Sequence, residues 1–130
     1  MTNEDKVKYW IGLSDKDLDT AEWLIKGGHN TYTGYMCHQA IEKILKGYFT
    51  KIKVDTPPFT YDLTGLAQKT GLYDLMSDQQ KDFLEDLNPL NIEARYPDYK
   101  SKIAQTMTKE VTQNILAQTK DLLQWIKQKI

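Results

Sequence analysis

The stretch MCHQAIEKILK, residues 36–46, predicts an uninterrupted amphipathic helix. At about 100° per residue, its apolar side chains occupy roughly one half of the circumference and its polar side chains the other half. The apolar half comprises Met36, Cys37, Ala40, Ile41, Ile44 and Leu45, continued by Gly47 and Tyr48. The polar half comprises Tyr35, His38, Gln39, Glu42, Lys43 and Lys46. We expect this helix to lie at the centre of a bundle and still to offer polar groups to another element or molecule.

The length and composition of the chain predict one soluble globular domain that spans residues 1–130. Apolar residues make up 40% of the sequence and charged residues 27%, which are ordinary values for such a domain. No apolar run approaches the roughly 20 residues that a membrane-spanning helix needs. The N-terminus also lacks the basic and apolar regions of a signal peptide. We therefore expect a cytoplasmic location and no contact with a membrane.

The sequence offers no group of residues with the spacing of a metal site. Cys37 is the only cysteine, so the chain has neither an internal disulfide nor a zinc site of the sulfur-rich kind. Its position on the apolar half of the helix predicts that it lies in the core. A metal site at His38 would need carboxylates from elsewhere in the chain. We expect no metal and no cofactor.

The net charge of −1 argues against non-specific binding of nucleic acid by the whole surface, because that mode needs many contacts from Lys and Arg to phosphates. The charge is nevertheless uneven along the chain. Residues 55–99 carry nine acidic and three basic side chains, whereas residues 100–130 carry two and six. These segments are either solvated helix faces or surfaces that meet each other or a partner.

The first half of the chain predicts two long helices. The first helix runs from about Asn3 to Lys26, where Gly27-Gly28 ends it, and the second runs from about Asn30 to Lys51. A second apolar strip on the first helix packs either on another element or on a second subunit. It consists of Tyr9, Leu13 and Leu24.

The second half predicts short helices followed by a long one. Pro57-Pro58 makes residues 52–61 an extended surface loop. Two short helices follow. Asp62 caps the first, which ends near Gly71, and a Ser77–Gln80 capping box begins the second, which Asn88-Pro89 ends. Residues 92–99 read as irregular, and a last long helix is expected from about Ser101 to Ile130. The fold class is therefore all-α, an antiparallel bundle of three long and two short helices.

Three motifs occur in an order that resembles the HEPN family of small helical domains, and the similarity spans most of the chain. QAIEKILK at residues 39–46 resembles the family's QAxEKxLK helix, and ARYPD at residues 94–98 resembles its RYPD turn. YDLTGL at residues 61–66 is similar to its HDLxxL segment, with Tyr61 where His is usual. The resemblance implies an antiparallel helical bundle, frequent homodimers and association with small nucleotidyltransferases. It also implies either a nucleotide-binding module or a metal-independent ribonuclease that acts as a toxin in a toxin–antitoxin pair.

The ribonuclease branch carries an arginine followed, after four to six residues, by a histidine. Arg95 is the only arginine, and both histidines, His29 and His38, precede it. The motif is therefore absent. Lys100 and Lys102 occupy the region of that histidine, but an ordinary lysine titrates near 10.4 and carries protons poorly at neutral pH. The activity of that branch cannot be transferred to this chain.

The candidate ligand-binding residues lie in two segments, and we assign no catalytic residue. Arg95, held in a turn by Tyr96 and Asp98, either forms an ion pair with Glu42 or Asp98 or contacts a phosphate or RNA. His38 is spaced to hydrogen-bond Glu42. The helix face also carries Gln39, Lys43 and Lys46.

This helix face and the aromatic side chains each leave two interpretations open. Gln39, Lys43 and Lys46 either receive a phosphate or are solvated, with Lys46 paired to Glu42 at i,i+4. The tyrosines and tryptophans either stack on bases or belong to the core and interfaces.

These patterns favour a non-catalytic HEPN-like module that forms a homodimer and binds a nucleotide, a partner nucleotidyltransferase, or both. The alternative from another class is a divergent endoribonuclease toxin that uses Arg95 with His38 or a lysine. A third hypothesis is a purely structural bundle that functions by oligomerisation. If the protein is a binding module, we expect its site to lie where the helix face meets the Arg95 turn.

Overall fold

The computed structural model describes residues 1–130 and is entirely helical. It contains seven α-helices and two short 3₁₀ turns, and the turns span Asn88–Leu90 and Ile92–Ala94. In chain order the α-helices are α1 (Asn3–Lys26), α2 (Asn30–Lys53), α3 (Leu63–Lys69), α4 (Leu72–Leu75), α5 (Asp78–Leu87), α6 (Pro97–Thr106) and α7 (Lys109–Gln128). The predicted all-α bundle class is confirmed, with three long helices and four short ones in place of the predicted two. None of the helices combines the length and the apolar content that a bilayer span requires.

The first two helices form the hairpin that the sequence predicts. A capping box between Thr2 and Asp5 begins α1. Gly28 makes the turn into α2 with a φ of 78°, a conformation that glycine adopts without strain. Helix α2 extends two residues beyond the predicted end at Lys51 and stops where Val54 takes a left-handed conformation. Both helices are therefore defined by signals close to their ends.

Helix α2 forms the centre of the core and packs mainly against α1 and α7. Its predicted apolar half is confirmed, since Ile41 and Ile44 are fully buried and Cys37 lies in the core. The Ser14 hydroxyl donates a 2.7 Å hydrogen bond to the carbonyl of Ala40 at the buried interface with α1. The polar half of α2 is also largely buried, which the sequence did not predict. Helix α2 is also packed by α3, α5 and the Asn88–Leu90 turn.

Local capping positions the short helices as predicted. The Asp62 side chain accepts a hydrogen bond from the backbone N–H of Gly65 at the start of α3, and Ser77 and Gln80 form the predicted capping box of α5. The Asn88 side chain accepts a 2.8 Å hydrogen bond from the N–H of Leu63. The 3₁₀ turn that begins at Asn88 therefore holds the start of α3 and the loop before it close to α2.

The prediction of one helix from Ser101 to Ile130 is wrong, because the chain breaks at residues 107–108. Met107 is buried against Gly34, and its carbonyl accepts a 3.1 Å hydrogen bond from the Asn30 side chain. Thr108 then caps α7 through its hydroxyl, which accepts from the N–H of Val111. Part of the stretch expected to be irregular is also helical, since α6 begins at Pro97. Proline suits this first helical position, where its missing N–H removes no hydrogen bond.

Candidate functional site

A cleft of about 750 Å³ lies between α2, the end of the loop that precedes α3, and the Ile92–Ala94 turn. Helix α2 contributes Tyr35, Gln39, Glu42 and Lys46 to its lining. The two other segments contribute residues 59–62 and residues 91, 93 and 94. Three of the lining residues are polar and buried, namely Glu42, Lys46 and Asn91. This combination of buried polar groups and open volume makes the cleft the candidate site.

Glu42 and Lys46 form a buried ion pair in the lining. The Lys46 Nζ donates to Glu42 Oε2 at 3.1 Å, and only about 10% of each side chain is exposed. The predicted i,i+4 pair is therefore confirmed. The same ammonium lies 5.8 Å from the ring centroid of Trp10, a favourable distance for a cation–π contact. Glu42 Oε1 accepts no hydrogen bond within the protein, and His38 Nδ1 lies 4.0 Å from it, too far for one.

Asn91 is a lining residue whose side-chain amide has no hydrogen-bond partner within the protein. Only 6% of the residue is exposed, yet its side-chain amide makes no hydrogen bond within the protein. Its backbone carbonyl accepts from the N–H of Ala94 and is satisfied. The buried side-chain atoms without a partner are Thr64 Oγ1 and Arg95 Nε, so the amide of Asn91 is in contact with solvent. The amide is therefore free to hydrogen-bond water or a polar ligand in the cleft.

The aromatic rings of Phe59 and Tyr61 form the outer part of the cleft, which we call its rim. Phe59 is fully exposed and Tyr61 about half exposed, although large apolar rings usually lie inside a protein. Tyr35 is half-buried. Burial raises the pKa of its phenol, and the carboxylates of Glu93 and Glu42 raise it further. Tyr35 therefore keeps its proton at neutral pH and presents an O–H group together with its ring.

The charge of the lining is predominantly negative. Glu42, Asp62 and Glu93 contribute carboxylates, whereas Lys46 is the only cation in the lining. Glu93 makes no ion pair, and Asp62 is occupied with capping α3 and accepting from Asn88. Since Lys46 is paired with Glu42, the other two carboxylates have no cation within the lining to offset them.

His38 is fully buried and does not line the cleft, which contradicts its predicted place on an accessible polar face. Its Nε2 lies 3.0 Å from the carbonyl of Tyr61, so the nitrogen there donates its proton to that oxygen. The predicted hydrogen bond to Glu42 is not formed. Burial lowers the pKa of the imidazole to about 4, although the hydrogen bond to Tyr61 opposes the shift. His38 is therefore neutral at pH 7 and anchors the rim of the cleft.

The predicted donor-rich edge of α2 is already engaged within the protein. Lys43 Nζ lies 3.2 Å from Asp17 Oδ2 and donates to Gln39 Oε1 at 3.0 Å. Gln39 lines the cleft, but Lys43 does not. Neither Lys43 nor Lys46 therefore has an ammonium group free of a carboxylate partner.

Arg95 lies next to the cleft and does not line it. The guanidinium carbon is 5.1 Å from the ring centroid of Tyr99, and the buried Nε has no hydrogen-bond partner. The predicted alternative of an ion pair with Glu42 or Asp98 is contradicted, because the carboxylate of Glu42 pairs with Lys46 and that of Asp98 makes no ion pair. Tyr96 and Asp98 are exposed in the turn into α6 and lie outside the cleft.

The structure thus brings together only part of the predicted residue set. Gln39, Glu42 and Lys46 line the cleft, whereas His38, Lys43, Arg95, Tyr96 and Asp98 do not. The sequence interpretation missed Tyr35, Phe59, Asn91 and Glu93 as site residues. The position of Phe59 directly after Pro57-Pro58, in a loop predicted to lie on the surface, was a usable signal. No comparable signal marks Asn91, because its position in the cleft depends on how the chain folds back onto α2.

The protein is a small all-helical bundle with a cleft beside α2. Comparison with known proteins identifies the family of this domain. The model of the HEPN domain matches residues 7–129, so the chain belongs to the HEPN family and the predicted resemblance is confirmed. The crystal structure of TT1696 from Thermus thermophilus is similar, with a TM-score of 0.80 and 17% sequence identity. The match covers 96% of this chain and 98% of that chain, and at this identity it shows the fold alone. A search of curated proteins finds no match.

Proposed function

We propose that this HEPN protein is a non-catalytic module that binds a nucleotide in the cleft, with the base as the recognised part. The observation that carries the proposal is the amide of Asn91, which has no hydrogen-bond partner within the protein and lies in a lining that also holds Glu42. A side-chain amide donates and accepts at once, which matches the edge of a nucleobase. Glu42 Oε1 supplies a further acceptor for a ring N–H or an exocyclic amino group.

The aromatic rim supports the same proposal. Base stacking on an aromatic ring contributes roughly 1–3 kcal/mol per base. Phe59 and Tyr61 lie in the lining with much of their surface open to solvent. A planar base that enters between them covers apolar ring surface and reaches the polar groups of α2.

Replacing Phe59 with alanine tests this proposal directly. We expect the affinity for the bound nucleotide, measured by isothermal titration, to fall roughly tenfold through the lost stacking. The melting temperature should stay unchanged, because the side chain is fully exposed.

Tyr32→Ala provides the matched control, since Tyr32 is an exposed aromatic residue on α2 outside the cleft lining. It should bind like the wild type. Equal affinities of the Phe59 and Tyr32 variants would contradict a role for the rim. Failure of all four common nucleotides to bind the wild type would contradict nucleotide binding altogether.

The geometry disfavours the alternative of a ribonuclease that uses Arg95 with His38 or a lysine. His38 is fully buried and hydrogen-bonded to Tyr61, and its lowered pKa makes it a poor proton carrier at neutral pH. Lys43 and Lys46 are both paired with carboxylates. His38, Lys43 and Lys46 are therefore all engaged by other groups of the protein and are poorly suited to act with Arg95.

We also infer that the protein forms a homodimer through the outer face of α1. Tyr9 and Trp23 are exposed there, and Leu13 and Leu24 remain half-buried, so the predicted second apolar strip keeps an uncovered surface. Aromatic residues with this exposure are typical of interfaces. A partner nucleotidyltransferase, and with it a role in a toxin–antitoxin pair, is supported by the sequence motifs shared with the family.

Light scattering tests the dimer. We expect a mass twice the 15.1 kDa of one chain for the wild type, and a monomer for Trp23→Glu, which places a charge in the expected interface. Phe59→Glu, which changes a ring in the cleft, is the control and should remain dimeric. A monomeric wild type at micromolar concentration would contradict this part of the proposal.

A further inference from the structure

The charge of the cleft restricts which end of a nucleotide can enter it. The Glu42–Lys46 pair is internally neutral, so Asp62 and Glu93 determine the net charge of the lining. Both carboxylates lie on the segments that flank α2, and no cation in the lining offsets them. A group of two or more negative charges entering the cleft would be repelled by both.

Lys43 and Arg95, the predicted cations that lie outside the lining, are each engaged by another side chain. Lys43 is held by Asp17 at 3.2 Å, and the guanidinium of Arg95 is directed to the ring of Tyr99. Sites that recognise phosphate use free arginines, lysines or a helix N-terminus directed at the anion. The lining contains none of these, whereas it contains an unpartnered amide, an open carboxylate oxygen and aromatic rings.

We infer that the cleft recognises a nucleoside moiety, a base with its sugar, and holds the phosphates outside, so that phosphorylation of the ligand weakens binding. This inference rests on the proposed function and specifies its ligand class. The base stacks on the rim and hydrogen-bonds Asn91 and Glu42. The 5′ end of the sugar points to solvent, away from Asp62 and Glu93.

Titration of the four ribonucleosides and of their triphosphates, without divalent metal, provides the test. The nucleoside that binds best should do so about fivefold more tightly than its own triphosphate at low salt. Raising the salt concentration should narrow this difference, because salt screens the repulsion between exposed charges.

Glu93→Gln identifies the source of the repulsion. The carboxylate of Glu93 is exposed and makes no ion pair, so its removal leaves the fold intact. We expect the affinity for the triphosphate to rise about threefold at low salt, and by more than any change in the affinity for the nucleoside. Glu85→Gln, on the exposed face of α5 and outside the cleft, is the matched control and should change neither affinity.

Two results would overturn the inference, and they differ in what they say of the proposed function. A triphosphate that binds tenfold more tightly than its nucleoside, with the preference lost in Arg95→Ala, would show recognition led by phosphate. Nucleotide binding would then stand and the inference would fail. Absence of binding by both nucleosides and triphosphates would overturn the proposed function and the inference together.

Discussion

Replacement of Glu42 with alanine is expected to lower the free energy of unfolding by about 3 kcal/mol, because it leaves the ammonium of Lys46 buried without its carboxylate. Both side chains are about 90% buried, and the 3.1 Å contact is the only ion pair that Lys46 makes. The cation–π contact with Trp10 offsets only part of the loss. Urea denaturation followed by far-ultraviolet circular dichroism measures the difference.

The double variant Glu42→Met, Lys46→Met distinguishes the net contribution of the ion pair from the cost of one buried, unpaired charge. Replacing both charges with apolar side chains of similar size should bring stability back to within about 1 kcal/mol of the wild type, since no charge is left unpaired. The exposed pair Glu4–Lys8 is the surface control, and Glu4→Ala should cost less than about 0.5 kcal/mol. A Glu42→Ala variant as stable as Glu4→Ala would contradict the expectation.

Lowering the pH from 7 to 4 is expected to remove about 3 kcal/mol of stability through His38 alone. The pKa of this imidazole is about 4 in the folded protein, against 6.5 for an unperturbed histidine. Between these values the unfolded chain binds a proton that the folded chain does not bind. Stability is therefore fully present above pH 6.5 and is lost as the pH falls towards 4.

His38→Gln isolates this contribution, because an amide donates to the carbonyl of Tyr61 and does not titrate. The difference in unfolding free energy between wild type and variant should shrink as the pH falls through this window. His29→Gln is the control and should follow the wild type, since His29 is exposed before α2. Parallel curves for the wild type and His38→Gln between pH 7 and 4.5 would contradict the assignment.

The parts of the fold that sequence predicts well are those governed by local signals. The ends of α1 follow from Thr2, Asp5 and the glycines, and the start of α5 follows from its capping box. The break at residues 107–108 was missed because the apolar spacing continues through it, from Ile103 through Met107 to Val111. Burial of Met107 against α2 and the capping of α7 by Thr108 outweigh that continuous pattern.

In the candidate site, too, local features could be predicted from the sequence and features that depend on tertiary packing could not. The pairing of Glu42 with Lys46 was predictable because one turn of helix separates them. The burial of His38 and the placement of Asn91 depend on segments distant in sequence that pack near α2. The periodicity of α2 contains no information on which segment covers its polar half, so it predicted an accessible surface for His38.

The hydrogen bond between His38 and Tyr61 uses the main-chain carbonyl of Tyr61 and leaves its side chain free. Any amino acid has this carbonyl, so the attachment of the rim to α2 does not depend on which residue stands at position 61. The site can therefore change its chemistry at this position with little loss of stability. Position 61 is a natural place for evolution, or for design, to adjust which ligand the cleft accepts.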